Sequence, residues 1–465
     1  MSDYNFLMES RLSPEQVRVV GQVSRIALER GLNVYLVGGA VRDLTAGQST
    51  VCDLDFVVEG SPQKILGHLD PAHTASRAKG GSLGAGSDGP RVESLVLDKR
   101  LNSAEVYFAT GVRAEIAASR NETYSKPGRP PEVRPAMIFD DLKRRDFSAN
   151  AMAVSLHPNS RGLLLDPTNG AADIARREFR VLHSRSFVED PSRIYRLLRL
   201  GLRLNFKPEE RTKALLDSAI ENRYWDVMPP ERQGVELHAI LQEDNPARVL
   251  KMLAGRGLLG GLDQKLASAR IPYDRFAKVR SAVHAVSGAD PLLLNFHCLV
   301  EKLGGAQRSR LASKIFTSAK SIRSALDLER DARKLARLVA SAKASRPSQV
   351  YALLSKYPQH LLLFLLVYYP QARIQGRVKS YLFKFPQVRA KLPRAELQAM
   401  GLPPGPKFDK IMERVFLDQL DGKIRTQPQL LKALRALSGI KEPAPKPEPP
   451  RRAERRGKRT VASGK

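Results

Sequence analysis

Residues 36–60 read LVGGAVRDLTAGQSTVCDLDFVVEG. An apolar run, Asn33–Val37, reads as a short strand stopped by Gly38 and Gly39. Two consecutive glycines let the backbone turn sharply and approach a ligand closely. The next residues read as a helix whose first N–H groups lack intrahelical partners, which suits a phosphate. Arg42, one turn into that helix, is placed to clamp the same phosphate. Val51–Val58 reads as a second strand. On it Asp53 and Asp55 are two residues apart, so both carboxylates fall on one face, with Leu54 and Phe56 buried on the other. Two hard oxygen donors side by side suit Mg²⁺. Two ions so held could align a 3′-hydroxyl with an α-phosphate. A Gly-Gly turn alone is usually a plain turn, and an isolated D-x-D usually a solvated edge. The reading rests on the two together, with Arg42 and Asp43 between them.

LVGGAVRD followed by DLD resembles the head-domain signature of the class II tRNA nucleotidyltransferase and bacterial poly(A) polymerase family, within the polymerase-β-like superfamily. The resemblance implies an α+β fold: a mixed-sheet nucleotidyltransferase head, then an all-α neck, body and tail. It implies template-independent addition of C or A, from CTP or ATP, to an RNA 3′ end, with Mg²⁺ as cofactor. Residues 140–153, DDLKRRDFSANAMA, extend the likeness, with Ser148 where the family usually has Thr. By resemblance, Arg145 and Asp146 contact the nucleotide's phosphates and sugar, and Asn150 supports them. Read by themselves, paired arginines suit a triphosphate and a neighbouring carboxylate a ribose hydroxyl; a capped, charged helix start is the plainer alternative. Residues 166–183, DPTNGAADIARREFRVLH, resemble the segment leaving the head, and Asp166, Gly170 and Asp173 read as turn and cap residues.

Glu189-Asp190-Pro191-Ser192-Arg193 matches the family's E-D-x-x-R motif. Asp190 and Arg193 are three apart and can face the same way at a helix start. An Asp accepts from an exocyclic amino group and an Arg donates to ring acceptors. Cytosine and adenine fit that pair. Uracil and guanine place a carbonyl where the Asp needs a donor. Arg196, Arg199 and Arg203 continue a basic stripe, and by resemblance Arg196 and Arg199 also meet nucleotide. The plain alternative is an exposed helix face. Glu105, on an expected strand over 104–109, is a candidate third acid, though a half-exposed strand glutamate is the commoner case. Cys52 reads as packed rather than catalytic.

The rest of the 465 residues frames this site. A helix is expected over 13–30, a flexible Gly/Ser-rich loop over 74–90 and a mobile polar connection over 111–136. From Pro191 helical periodicity dominates, over 191–205, 209–222, 230–242 and 246–256, then in pieces to about 440. The expected domains are a head at 1–175, a helical neck at 176–245, a helical RNA-binding body and tail region at 246–440, and a disordered tail at 441–465. That tail carries nine basic and three acidic residues and five prolines. Net charge is +29, and the tail's +6 leaves +23 on the remainder. A polyanion is therefore the expected partner, with an anionic membrane surface as the alternative. No run is long enough to span a bilayer, and Leu361–Tyr369 reads as a core helix. The N-terminus lacks a signal-peptide pattern, and Cys52 and Cys298 form no metal-type spacing. The expected setting is the cytoplasm, with no membrane or DNA partner.

Three activities share these motifs: full CCA addition to tRNA, A-only addition, and poly(A) synthesis on other RNA. The VLHSRSFVEDP approach favours the tRNA enzymes, and the basic proline-rich tail favours poly(A) polymerases. Two further alternatives are a non-catalytic RNA-binding protein, opposed by the intact D-x-D, and a transferase acting on a small molecule, opposed by the large basic body.

Overall fold

The computed structural model describes residues 3–48, 50–51, 53–69 and 89–439. Two helices open the chain, Tyr4–Arg11 (α1) and Pro14–Glu29 (α2). Ser13 starts α2 with a capping box: its hydroxyl accepts from Gln16 N at 3.2 Å, and Gln16 Oε1 accepts from Ser13 N at 2.9 Å. The apolar stripe of α2, with Val19, Val20, Val23 and Ala27 buried, packs on the strands that follow.

Those strands are Asn33–Val37 (β1) and Leu54–Glu59 (β2), joined by the helix Gly39–Thr45 (α3). After Gln63–Leu69 (α4) come Val92–Asp98 (β3), Ser103–Phe108 (β4) and Arg113–Ala118 (β5). A hairpin of Arg120–Thr123 (β6) and Glu132–Pro135 (β7) leads to Ile138–Lys143 (α5), Ala153–Ser155 (β8) and Leu164–Leu165 (β9). Seven strands form one mixed sheet in the order β3-β4-β5-β2-β1-β8-β9. Only β2 and β5 pair in parallel; the other neighbours are antiparallel. A core of Val37, Val57, Ile138, Leu142 and Ala153 ties α5 to the sheet beneath the Gly38 turn.

The mobile connection expected over 111–136 is corrected here. Residues 113–118 are β5, next to β2, and 120–135 hold the β6–β7 hairpin. The alternation of exposed Arg113 and Glu115 with buried Ala114 and Ile116 is the strand signal. The surrounding polar residues and prolines hid it.

Helical structure follows, as the periodicity predicts: Gly170–Arg176 (α6), a one-turn helix at Ser186–Glu189, Ser192–Leu204 (α7), Glu210–Glu221 (α8), Pro230–Gln242 (α9), Pro246–Gly255 (α10) and Tyr273–His284 (α11). The chain forms two compact units, divided between Leu328 and Glu329. The second unit contains helices only among its described residues, including Gln359–Tyr368, whose Leu361–Leu365 run is buried as a core helix requires. No single helix among the described residues is long and apolar enough to cross a membrane. Cys52, most of the 74–90 loop and the 441–465 tail lie outside the described residues.

Candidate active site

Gly38 is where the strand turns into the helix, at φ +63° and ψ −125°, a backbone state that a side chain strongly disfavours. A methyl group there would sit 2.9 Å from Arg145 Nη1 and 3.5 Å from Asp55 Oδ2. The Gly-Gly turn, the aspartate strand and the paired-arginine segment thus converge, although more than 100 residues separate the first from the last. The β1–β2 register explains half of this, because Asp55 pairs with Val37, the residue before Gly38.

Asp53 precedes β2 and is half exposed, while Leu54 and Phe56 are buried. Burial, then the neighbouring Glu115 and Asp53, push the Asp55 carboxyl up to about 6, against the opposing pull of Arg145. Glu115 is a residue that sequence reasoning missed. It pairs with Asp55 across the parallel β2–β5 ladder, and with Glu105 across β5–β4. Three acids therefore stand in register on three adjacent strands, and facing residues in register share a face. Arg113 lies among them, 3.1 Å from Glu105 and 3.7 Å from Asp53. Glu105 also accepts from the Tyr107 hydroxyl at 2.7 Å. Among the described residues, no three His, Cys, Asp or Glu side chains converge as a metal-ligand group. Asp53 and Asp55 offer two carboxylates, the number Mg²⁺ commonly takes from protein when substrate phosphates complete its shell.

Arg42 is buried rather than extended to solvent. It donates to Asn150 Oδ1 at 2.7 Å and pairs with Asp43 at 2.7 Å. Asn150 in turn donates to Asp146 Oδ1 at 3.0 Å. Burial pushes the Asp146 carboxyl up, but Arg196, Asn150 and Arg193 outweigh it and hold it down at about 2. The Arg196 guanidinium lies 2.7 Å from Asp146 Oδ2. Arg145 donates twice to Asp141 Oδ2, at 2.9 and 3.2 Å, and the other Asp141 oxygen takes Arg144 at 2.6 Å. Asp141 is fully buried and held below the usual carboxylate range, because these two arginines overcome its desolvation.

Of the expected turn and cap residues Asp166, Gly170 and Asp173, Asp166 acts as one, whereas Asp173 lies inside α6 as a buried ion-pair residue. Asp166 accepts from Gly170 N and Ala171 N at 2.7 and 2.9 Å. Asp173 is buried and binds Ser148, Arg176 and Arg180, so the hydroxyl kept at position 148 fastens this segment to α6.

At the start of α7, Asp190 and Arg193 take different partners. Asp190 Oδ1 accepts from Ser192 N and Oγ at 3.0 and 2.6 Å. Arg193 is buried and donates to Ser186 Oγ at 2.8 Å and to the Arg144 carbonyl at 2.9 Å. Both influence Tyr124, whose hydroxyl donates to Glu122 at 3.0 Å. A cavity of about 250 Å³ is lined by Glu122, Tyr124, Arg144, His183, Glu189 and Arg193. Arg199 is not part of this group. It is buried against Glu243 at 2.8 Å and Glu236 at 3.8 Å, and Arg203 lies 3.7 Å from the same Glu243. At its far end the expected basic stripe along α7 is an ion-pair seam, in which Arg199 is buried and Arg203 is exposed.

A strand–Gly-Gly–helix turn thus stands beside paired acids on a mixed sheet. Residues 34–180 match the family model described as the Poly A polymerase head domain. It is 27% identical over 431 residues to the A-adding tRNA nucleotidyltransferase of Geobacter sulfurreducens, covering 90% of this chain but 47% of that one. The chain thus spans about half the length of this relative. It is 27% identical over 446 residues to the A-adding tRNA nucleotidyltransferase of Halalkalibacterium halodurans, covering 94% of this chain and 96% of that one. Its fold resembles a CCA-adding enzyme in an apo form, with a TM-score of 0.51 and 26% identity over 94% of this chain and 99% of that one.

Proposed function

We propose that this protein is a template-independent RNA nucleotidyltransferase that adds C and A, from CTP and ATP, to the 3′ end of tRNA. The observation that carries this reading is the meeting of Gly38, Asp55 and Arg145 within one contact shell, beside a helix start that presents Asp190 and Arg193. The likeness to a CCA-adding enzyme over nearly the whole of both chains supports it.

In this reading Asp53 and Asp55 hold Mg²⁺, with Glu115 and Glu105 adding negative potential from the neighbouring strands. Bound there, the metal would neutralise triphosphate charge and lower the pKa of the RNA 3′-hydroxyl. Gly38 and Gly39 leave room for the triphosphate to approach the main chain. Arg145, anchored by Asp141, offers its remaining N–H groups to the phosphates, and Arg42 supports from behind through Asn150. Asp146 faces the sugar. Asp190 accepts from the base's amino group and Arg193 donates to its ring nitrogen, so C and A are accepted without a template. Arg196 orients Asp146, and Arg199 holds α7 against α9. The 3′-hydroxyl attacks the α-phosphate and pyrophosphate leaves. The reaction belongs in the cytoplasm, where both cysteines stay reduced.

A second reading, A-only addition, is favoured by the two A-adding relatives that align over most of this chain. One experiment separates the cases. The protein is incubated with tRNA lacking its 3′ end, Mg²⁺ and single labelled nucleotides. CTP and ATP incorporation is expected. ATP incorporation only on tRNA ending in CC would select the second reading, long A tracts would select poly(A) synthesis, and no extension would refute all three.

A further inference from the structure

One guanidinium stands among the acids of the sheet, and the mechanism above gives it no role. Arg113 and Glu115 are two apart on β5, so their side chains share a face. Arg113 pairs in register with Tyr107 on β4, and Asp53 directly precedes Leu54, which pairs with the next residue of β5, Ala114. The ladder thus sets Arg113 between Glu105 on one neighbouring strand and Asp53 at the entry to the other.

Its two contacts are unequal. Arg113 Nη2 lies 3.1 Å from Glu105 Oε1, a close ion pair. Arg113 Nη1 lies 3.7 Å from Asp53 Oδ2, too far for a hydrogen bond, so that contact acts through charge alone. The other Glu105 oxygen accepts from the Tyr107 hydroxyl at 2.7 Å. Both Glu105 oxygens are thereby engaged, which makes Glu105 a tether for Arg113 rather than a third metal ligand. Among the described residues, Arg113 is the one cation within ion-pair distance of Asp53. Asp55, whose carboxyl is raised chiefly by burial, is also drawn downward by Arg113. The guanidinium therefore acts on both aspartates. It is half exposed, with room to leave Asp53 while it stays on Glu105.

We propose that Arg113 is a positioning residue, the built-in counter-charge of Asp53 and Asp55, which holds the two aspartates ready and weakens their grip on a bare divalent ion. A positive charge held against both carboxylates opposes the entry of another. Across several Å, even in water, a unit charge changes the affinity for a divalent ion by about tenfold. A metal ion that arrives on a nucleotide triphosphate brings an excess of negative charge, which Arg113 attracts. Arg113 thus favours joint arrival of metal and nucleotide over metal alone. The proposal rests on the reading of Asp53 and Asp55 as the metal site and adds the order in which that site is filled.

The test uses the full chain and Mn²⁺ as the probe, a divalent ion with the same preference for oxygen donors. Free Mn²⁺ is followed by electron paramagnetic resonance, with and without CTP and in the absence of RNA, for wild type, R113Q, R113K and D53N. R211Q on α8 is the control for overall charge. Thermal melting of each chain is recorded with and without Mn²⁺. Without nucleotide, R113Q is expected to bind Mn²⁺ about tenfold more tightly than wild type, and to melt below wild type only when Mn²⁺ is absent. CTP should strengthen Mn²⁺ binding less in R113Q than in wild type. R113K, which keeps the charge, and R211Q should stay within twofold of wild type. An Mn²⁺ affinity of R113Q within twofold of wild type, or below it, would overturn the proposal, as would an equal gain in R113K or R211Q. A melting deficit of R113Q that Mn²⁺ leaves unchanged would assign Arg113 to the fold alone and also overturn it. D53N reports on the underlying reading. Unchanged Mn²⁺ binding there would refute the metal site itself, whereas lost binding in D53N beside an unmoved R113Q would refute only the role of Arg113.

Discussion

Asp146 and Arg196 meet at 2.7 Å, joining the end of the sheet-bearing segment to the helix that carries Arg193. The same aspartate receives Asn150, which also holds Arg42. One carboxylate thus connects the Gly-Gly turn to the α7 start.

The first prediction concerns that pair. Asp146 has its carboxyl lowered to about 2 from an ordinary 3.8. Its stabilisation is therefore complete above about pH 4 and is lost as pH falls through 2. Removing Arg196 (R196A) should lower the unfolding free energy at pH 7 by about 2 kcal/mol. The gap between wild type and variant should narrow steadily between pH 5 and pH 2 in denaturant titrations. A gap independent of pH would mean that packing, not charge, holds the contact.

Asp55 should show the opposite sign. Its carboxyl is raised to about 6 from 3.8, so the folded state keeps a proton that the unfolded chain releases. The cost of ionising it is absent below pH 4 and complete above pH 6. D55N should abolish extension yet stabilise the apo protein at pH 7.5 by on the order of 1 kcal/mol, a rise in Tm of about 2–4 °C. At pH 4 the two melting curves should coincide.

Gly38→Ala tests the turn. The positive φ costs about 1–2 kcal/mol for any side chain, and the new methyl would press on Arg145 Nη1 at 2.9 Å. Far-UV circular dichroism should be retained. KM for nucleotide should rise at least tenfold, because the displaced guanidinium lies where the phosphates are expected. Unchanged nucleotide kinetics would remove Gly38 from the site.

Asp190→Asn tests base selection. A carboxylate only accepts hydrogen bonds, whereas an amide both donates and accepts. Competition assays should therefore show discrimination against UTP falling by tenfold or more, with RNA binding unaltered. An equal loss of CTP and ATP incorporation with discrimination against UTP preserved would assign Asp190 to holding Ser192 alone.

Sequence periodicity determined the order of elements. The helices over 192–255 and strands β1, β2 and β4 follow from local patterns of apolar spacing, and so does the placement of Asp53 and Asp55 around buried Leu54. The motifs also named most members of the cluster: Gly38, Asp55, Arg145 and Asp146. Tertiary structure decided their company. Glu115 joins the acids only because β5 pairs in parallel with β2, a neighbour relation between segments about 60 residues apart that no local pattern encodes. Arg42 and Arg199 look alike as cations on helices, yet both are buried, Arg42 against Asn150 and its neighbour Asp43, and Arg199 against Glu243 and Glu236. Burial of a charge is a property of the packed surroundings, which a one-dimensional pattern of residue types does not contain. The opening stretch thus sets the turn and the two aspartates, and the folded sheet sets the electrostatic field in which they stand.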